Sequence, residues 1–277
     1  MMADRSQGTT TLLDDREGSR PKLAVERLVK TRTSSSGRTL TVVDDVTFEV
    51  RQGEFVCLLG PSGCGKTSIL NILAGLDEPT AGRVLLDGDP IHGPGPDRAV
   101  LFQEPALFPW LSVVGNVEFA LKHVGVAERD RRARAMSWLQ NVHLTGFANA
   151  QPHELSAGMR QRVALARALA CDPDVLLGDE PFGSLDAQAR ELLQNEVQRV
   201  WAESEGRKTF VFVTHNVREA ALLADRVLVM TVRPGRLLEE VRIHAPRPRN
   251  LDDALVARVV SEIHEVLMGE VSKGGAP

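Results

Sequence analysis

The chain has 277 residues, of which 43% are hydrophobic and 25% are charged, and it carries a net charge of −4 at pH 7. This composition is that of an ordinary globular protein, and the negative charge argues against a protein that binds nucleic acid by neutralising many phosphates. The three cysteines match neither a disulfide framework nor a metal-binding pattern, which favours a reducing cytoplasm. No apolar run approaches the roughly 18 residues that a membrane-spanning helix needs.

In chain order, residues 1–21 are polar and lack an apolar period, so we expect a disordered N-terminal tail there. From residue 22, runs rich in β-branched residues alternate with turns and predict strands, namely KLAVERL, VTFEV, EFVCLL and GRVLLDG. Between residues 112 and 144 the apolar spacing becomes helical. After residue 156, helices alternate with the strands DVLLGD, TFVFVTH and RVLVMTV. This alternation predicts an α/β fold with helices on both faces of a parallel sheet, interrupted by a helical insert.

The segment from residue 250 predicts a separate amphipathic helix. Asn250, with Asp253 three residues later, is typical of a helix cap. Apolar residues then recur every four positions and predict one stripe, formed by Leu251, Leu255, Val259, Ile263 and Leu267. Such a helix either docks on its own domain or contacts a partner.

The stretch GPSGCGKTS matches the phosphate-loop spacing G-x-x-x-x-G-K-[ST], between a predicted strand and a predicted helix. Glycines allow successive backbone N–H groups to turn inward around phosphates. Lys66 supplies a charge for the β- and γ-phosphates, and the Thr67 hydroxyl is a ligand for Mg²⁺. The loop therefore predicts a nucleoside triphosphate site. Its nucleotide-binding residues are Gly60, Pro61, Ser62, Gly63, Cys64, Gly65, Lys66, Thr67 and Ser68.

Polar residues suited to the same site follow three other predicted strands. Asp179 can hold Mg²⁺ through water, and the adjacent Glu180 can polarise the attacking water as a general base. Gln103 follows RAVLFQ, where its amide oxygen can reach the metal or the water. His215 follows TFVFVT, where an imidazole can contact the γ-phosphate. Ligands in open α/β sheets bind at such strand ends.

A second stretch, HELSAGMRQR, also predicts a turn that leads into the N-terminus of a helix, which is a site suited to anions. It lies about 90 residues after the phosphate loop, and the turn contains no lysine. The residues alone do not explain why one chain has two such helix starts.

The phosphate loop, Gln103, LSAGMRQR, LLGDEP, GSLD and His215 occur in an order and spacing that resemble those of ABC-type ATPases. The resemblance covers residues 22–245. It implies a P-loop NTPase fold with a RecA-like core, an antiparallel ABC β-subdomain and an inserted α-helical subdomain at about residues 104–158. Residues 246–277 would then form a C-terminal amphipathic helix and tail.

The resemblance also implies a head-to-tail homodimer. Ser156, Gly158 and the helix behind them would meet the γ-phosphate bound by the partner's phosphate loop, and Asp186 of GSLD would cross the same interface. This arrangement explains the missing lysine, because the partner provides it. ATP and Mg²⁺ are the expected cofactors. The expected metal ligands are Thr67, Gln103 and Asp179.

Several positions depart from the family's pattern, among them Met159, which stands where a glutamine is common. Ala157 stands where a glycine is common, and a left-handed conformation there would be strained by about 1 kcal/mol. Gly178 replaces a larger apolar residue, which predicts weaker strand packing. Asn216 replaces an acid that often follows the histidine. The chain has no tyrosine, and Arg32 lies near the place of the aromatic residue that stacks on adenine in the family; an arginine plane can also stack on a base.

The stretch EPALFPWLSVVGNV resembles the ATPase subunits of bacterial nitrate, sulfonate and taurine importers. The resemblance implies membrane permease subunits, indirectly a solute-binding protein, a peripheral location on the cytoplasmic face of the membrane, a small anionic solute, and no nucleic acid partner. The apolar residues around Pro109 either pack the helical subdomain or line a groove for a partner helix; they are Leu107, Phe108, Trp110 and Leu111. Two other classes stay open, a non-transport ABC ATPase that acts on nucleic acid or ribosomes and a P-loop kinase of small molecules, although such a kinase has no use for LSAGM.

Overall fold

The computed structural model describes residues 20–34 and 37–274, so nearly all of the predicted N-terminal tail lies outside the described residues. The helices and strands, in chain order, are β1 (Leu23–Thr33), β2 (Thr39–Val50), β3 (Phe55–Leu59), α1 (Lys66–Leu73), β4 (Ala81–Leu86), β5 (Asp89–Pro90), β6 (Arg98–Leu101), α2 (Val113–His123), α3 (Glu128–Asn141), α4 (Ala157–Ala170), β7 (Val175–Asp179), α5 (Ala187–Glu203), β8 (Thr209–Thr214), α6 (Val217–Leu223), β9 (Arg226–Met230), β10 (Leu237–Arg242) and α7 (Ala254–Gly274).

The strands form two sheets. Four strands make an antiparallel sheet in the order β2–β1–β4–β5. Six make a second sheet in the order β10–β9–β3–β8–β7–β6, in which only the edge strand β10 runs antiparallel to its neighbour. Every residue of β3 and β8 is buried, because parallel strands are covered on both faces. This is the predicted α/β architecture, including the antiparallel sheet that the resemblance implies.

Alternate residues of the parallel strands pack into two separate apolar cores, because successive side chains of a strand point to opposite faces. On one face Cys57 and Phe210 pack in the core that includes residues of α4, α5, α6 and α7. On the other face Val56 and Leu58 pack in the core that includes α1 and the antiparallel sheet. The phosphate-loop helix is thereby held between the two sheets.

A third core joins α2, α3 and α4, through residues such as Val117, Leu139 and Val163. The helix α4 also contributes Leu165 and Leu169 to the core of the parallel sheet. One continuous helix therefore connects the helical layer to the sheet. The limits proposed for the helical subdomain, residues 104–158, and for the other domains stay predictions.

The C-terminal helix docks on its own domain through the later part of the predicted stripe. Ile263 is fully buried, and Val259 and Leu267 pack against the same core, whereas Leu255 is 48% exposed and Val256, outside the stripe, is buried instead. A repeat of four residues advances about 400° around a helix, so the predicted stripe drifts by roughly 40° at each step. The cap is also displaced, since the helix starts at Ala254 and Asp253 accepts the N–H of Leu255. Within the described part of the chain, no helix is both long and apolar enough to cross a membrane.

Candidate functional site

Four neighbouring parallel strands, β6, β7, β8 and β3, end at the same edge of the sheet. Leu101 pairs with Gly178, and Leu59 pairs with Thr214, so the carboxyl ends of these strands are in register. The structure therefore brings together the groups that the sequence assigned to one site. In the order of the strands, these groups are Gln103, Asp179 with Glu180, His215, and the phosphate loop.

The phosphate loop ends in a helix whose first backbone donors are not capped by a side chain. Gly65 is the N-cap of α1, with a left-handed φ of 101° that a residue with a Cβ rarely adopts. Lys66 is 5% exposed, and its Nζ donates to the carbonyls of Gly60 at 2.7 Å and Pro61 at 3.0 Å. The ammonium group is thus held against the loop, where it can neutralise phosphate charge.

Two side chains of the loop are buried and take no part in the phosphate contacts that are assigned to the loop as a whole. Cys64 is 1% exposed and packs in the core around α1, so only its backbone can face a phosphate. Ser68 is also buried, and its Oγ accepts a hydrogen bond of 3.4 Å from the guanidinium of Arg32. Arg32 itself is exposed on β1. Its position beside α1 is compatible with stacking on a base, which stays a prediction.

Thr67 and Asp179 form the part of the site that fits a magnesium ion. The Thr67 hydroxyl donates to Asp179 Oδ1 at 2.9 Å. Burial raises the pKa of Asp179 and the adjacent Glu180 charge adds to this, while Thr67 and Lys66 oppose it. A cation bound here would therefore favour the ionised carboxylate. In residues 20–34 and 37–274, no three or more His, Cys, Asp or Glu are placed so that they could hold a metal ion by themselves. Mg²⁺ keeps waters and phosphate oxygens among its ligands.

Glu180 is held in a strained backbone conformation beside His215. Its φ is 44°, in the left-handed region, which costs about 1 kcal/mol for a residue with a Cβ. Its N–H donates to Val213 O at 3.0 Å, and its carbonyl accepts from Gly183 N–H at 3.0 Å. His215 Nδ1 lies 2.9 Å from Glu180 Oε2. The imidazole thereby holds the carboxylate in one orientation. A carboxylate that acts as a general base on water needs such a fixed orientation.

The expected weakness of packing at Gly178 is not present. Phe212 is the cross-strand neighbour of Gly178, and a Cβ at residue 178 would lie 2.6 Å from its ring. The ring therefore occupies the space that a larger side chain at residue 178 would fill. Phe212 also packs on Phe55, with ring centroids 5.0 Å apart. The strand that carries Asp179 is packed by its neighbour instead of by its own side chain.

The residues predicted to act across a dimer interface form a second cluster. Ser156 caps α4 by accepting the N–H of Met159 at 3.3 Å, and Asp186 caps α5 by accepting the N–H of Ala189 at 2.8 Å. A Cβ at Gly158 would lie 2.7 Å from Ala189 Cβ, so the two helix starts touch. Each of the two capping hydrogen bonds joins residues of the same helix start.

The strain expected at Ala157 is also absent, because this residue is the first residue of α4 and has no positive φ. Asn216, in place of an acid, caps α6 by accepting the N–H groups of Arg218 and Glu219. Both departures from the family's pattern are therefore accommodated by ordinary helix starts.

Two buried polar groups that we did not predict connect the strand ends to the helices. Gln161 of α4 is fully buried, and its Nε2 donates to Phe102 O at 3.0 Å, next to Gln103. Glu219 accepts a hydrogen bond of 2.8 Å from Thr214, next to His215, and burial raises its pKa. A polar residue on the buried face of a helix was the available signal for both.

A third such group holds the segment around Pro109. Asn116 is fully buried in α2, where its Oδ1 accepts from Phe108 N–H at 2.8 Å and its Nδ2 donates to Phe108 O and Leu111 O, both at 3.2 Å. The fixed segment leaves Trp110 74% exposed.

The apolar cluster around Pro109 is therefore neither wholly core nor wholly surface. Leu107 packs against two of the cores, while Phe108 lies 4.6 Å from Phe119 and 5.4 Å from Trp110, measured between ring centroids. We name Phe108, Trp110 and Phe119 the aromatic patch. Phe119 is about half exposed, so the patch presents apolar rings to solvent.

Comparisons with known proteins show the family to which this chain belongs. A family profile described as ABC transporter matches residues 43–183, just over half of the chain. An uncharacterised ABC transporter ATP-binding protein of Methanocaldococcus jannaschii is 46% identical over 258 residues, which are 93% of this chain and 96% of that protein. A taurine import ATP-binding protein of Burkholderia pseudomallei is 44% identical over 261 residues, which cover 88% of this chain and 99% of that protein.

Solved structures agree as well. An ATP-binding cassette determined as a dimer in a post-hydrolysis state with ADP and Pi superposes with a TM-score of 0.73 at 31% identity, covering 81% of this chain and all of that chain. This likeness confirms the predicted P-loop NTPase fold of the ABC type. The chain belongs to the family of ABC transporter ATP-binding proteins and is an ATPase.

Proposed function

We propose that this chain is the ATP-binding and ATP-hydrolysing subunit of a bacterial ABC importer, in which ATP-driven closure of a homodimer is coupled to uptake of a small anionic solute. The observation that carries the catalytic part is the continuous set of contacts at the strand ends. Thr67 bonds to Asp179, Glu180 follows Asp179 directly, and His215 bonds to Glu180. The phosphate loop lies at the same edge of the sheet.

In this proposal the loop N–H groups and Lys66 hold the phosphates of ATP. Thr67, Asp179 and Gln103 hold Mg²⁺, which when bound supplies charge neutralisation to the β- and γ-phosphates. Glu180 acts as the general base on water, and His215 holds the Glu180 carboxylate in place and contacts the γ-phosphate. Arg32 contacts the adenine. Apart from Arg32, which lies on β1 of the antiparallel sheet, these residues follow strands that end at the same edge of the parallel sheet.

The cluster of Ser156, Gly158 and Asp186 is proposed to complete the site of a second copy. The Ser156 oxygen accepts the N–H of Met159, and its hydroxyl hydrogen stays available to donate to an anion. Because the cluster has no lysine, it is suited to add donors to a phosphate that is already neutralised by Lys66 of the other copy. Binding energy of ATP shared by two chains would then favour the closed dimer.

The importer part of the proposal is supported by the relatives named as taurine import ATP-binding proteins. Taurine carries a sulfonate group and is one of the solutes that the resemblance of EPALFPWLSVVGNV implies. We therefore propose that permease subunits in the membrane dock on the aromatic patch, that a solute-binding protein delivers the solute, and that this chain lies on the cytoplasmic face of the membrane.

The catalytic assignment is tested with Glu180→Gln. We expect ATP to bind with unchanged affinity, hydrolysis to slow by about a thousandfold because the general base is lost, and a stable dimer to form in ATP. Turnover, ATP affinity and mass in solution are measured together. Glu239→Gln, at an exposed position of β10, is the matched control. Hydrolysis by Glu180→Gln at the parental rate would contradict the assignment.

The docking assignment is tested with Trp110→Asp. A carboxylate on the exposed patch would be desolvated against an apolar partner helix, so we expect loss of co-purification with the membrane subunits. The isolated subunit should keep its ATPase activity and its melting temperature within a few degrees, because Trp110 is mostly exposed. Phe147→Asp is the control, since Phe147 is an exposed aromatic residue elsewhere in the helical layer. Retained co-purification by Trp110→Asp would exclude docking at this patch.

A further inference from the structure

The turn between β9 and β10 contacts both the antiparallel sheet and the phosphate loop. We name residues 231–236 the brace turn. Asp44 N–H donates to Gly235 O at 3.0 Å, and Gly235 N–H donates to Val42 O at 2.9 Å. A Cβ at Gly235 would overlap the backbone carbonyl of Cys64. The brace turn is therefore in backbone contact with β2 on one side and with the phosphate loop on the other.

One side chain of the brace turn bonds directly to the phosphate loop. Arg233 is exposed, and its Nε and Nη2 donate to the carbonyl of Gly63 at 3.2 Å and 3.1 Å. Two N–H groups of one guanidinium thus converge on a single backbone oxygen. The guanidinium of an arginine carries a positive charge in proteins. A fixed positive charge therefore lies against the loop that is assigned to the phosphates.

The direction of this carbonyl decides the direction of a phosphate-binding donor. In a trans peptide the C=O of one residue and the N–H of the next point to opposite sides. Since Gly63 O is turned to Arg233, the N–H of Cys64 is turned into the loop, where it lies 3.4 Å from Pro61 O. This hydrogen bond is long, so a phosphate oxygen can replace it at little cost. A guanidinium on the carbonyl also polarises the peptide and makes its N–H a better donor.

We propose that Arg233 is a nucleotide-positioning residue. It fixes the peptide between Gly63 and Cys64 with the N–H toward the phosphates and adds positive charge behind the loop. The inference rests on the proposed function, in that the phosphate loop must be the ATP site. Arg233 touches the loop and not the reacting groups Glu180 and His215, so it determines nucleotide affinity and not the rate of hydrolysis.

The test uses the full-length chain with Arg233→Ala, Arg233→Lys and Arg236→Ala. For Arg233→Ala we expect Kd for ATP and for ADP, and KM for ATP, to rise about tenfold, as for a lost hydrogen bond to a charged group, while kcat stays within about twofold. Arg233→Lys should restore part of the affinity, since it keeps the charge but not the paired N–H groups. All three variants should melt within a few degrees of the parent.

Arg236→Ala is the matched control, because Arg236 lies in the same turn and pairs with Asp44 of β2 instead of the loop. We expect its Kd for ATP to stay near the parental value. An equal loss of affinity in Arg236→Ala would mean that the turn acts only as a structural support, which overturns the assignment to Arg233.

Lys66→Ala separates this inference from the proposed function. If Lys66→Ala loses ATP and Arg233→Ala does not, the inference is wrong and the ATP site stands. If Lys66→Ala binds ATP as the parent does, the proposed site itself is wrong.

Discussion

The two helix starts that are suited to anions, those of α1 and α4, differ in whether a side chain of the chain itself caps their backbone N–H groups. Gly65 at the start of α1 has no side chain and no capping hydrogen bond, so the first N–H groups of the helix are available to a ligand. Ser156 at the start of α4 places its own oxygen on the N–H of Met159. The first residue of α1 is a buried lysine, whereas the first turn of α4 begins with Ala157 and Gly158.

This difference indicates that the two helix starts have different roles in binding a nucleotide. The start of α1 provides charge and free donors, and it contains Thr67, which bonds to Asp179, so it can hold a nucleotide by itself. The start of α4 provides a neutral hydroxyl and a helix dipole, which are worth less than a cation in water but gain strength when water is excluded. A site of this second kind is useful when it closes over a phosphate that is already bound.

Lys66→Ala tests the first helix start and should have the largest effect. Lys66 Nζ bonds to Gly60 O and Pro61 O, and we expect its loss to weaken ATP binding by about a hundredfold, because hydrogen bonds to charged groups are the strong ones. Calorimetry with ATP gives the affinity. Lys122→Ala, an exposed lysine at the end of α2, is the control and should bind ATP normally. Equal affinity in Lys66→Ala and Lys122→Ala would remove the distinction between the two helix starts.

The first helix start could be predicted from the sequence because its chemistry is local. The spacing of Gly60, Gly65 and Lys66 specifies a turn, a helix start and a cation together. The strand ends were also predictable, since runs of buried apolar residues ended in polar groups. Parallel strands then place those groups at one edge of the sheet.

Other features depended on which residues become neighbours, and the sequence does not state this. Gly178 was expected to weaken its strand, but the ring of Phe212 on the next strand fills the space, which only the register reveals. The C-terminal stripe was correct at Val259, Ile263 and Leu267 but wrong at Leu255, because a repeat of four was followed along a helix that turns every 3.6 residues. Arg233 lies 170 residues from Gly63 in sequence, and no local pattern connects them.

Ser156→Ala tests the second helix start. We expect each isolated chain to bind ATP normally, but hydrolysis to fall by about tenfold, because the hydroxyl would donate to the phosphate only in the closed dimer. Affinity, turnover and the ATP-induced dimer are measured on the same sample. Loss of the cap should also lower stability by about 1 kcal/mol.

Ser112→Ala separates these two effects of Ser156. Ser112 caps α2 in the same way, by accepting the N–H of Gly115 at 3.2 Å, but it has no assigned role at a phosphate. We expect a similar loss of stability in Ser112→Ala with unchanged hydrolysis. If the two variants lose hydrolysis equally, capping alone explains the result and the comparison of the two helix starts fails.

Gly158→Ala is the mildest test, because it moves the second helix start without removing any polar group. The new Cβ would lie 2.7 Å from Ala189 Cβ, so α4 and α5 must separate slightly. Crowding of this kind costs about 1–3 kcal/mol, and it outweighs the gain of up to about 1 kcal/mol that alanine has over glycine in a helix. We therefore expect a melting temperature lower by a few degrees, and hydrolysis reduced a few-fold while ATP affinity is kept.

Ala189→Gly removes the opposing methyl group, so the double variant should regain both properties. If Ala189→Gly restores stability but not hydrolysis, the effect of Gly158 on hydrolysis comes from close approach to the nucleotide and not from the packing of α4 on α5. If it restores neither property, the contact between the two helices does not position the second helix start.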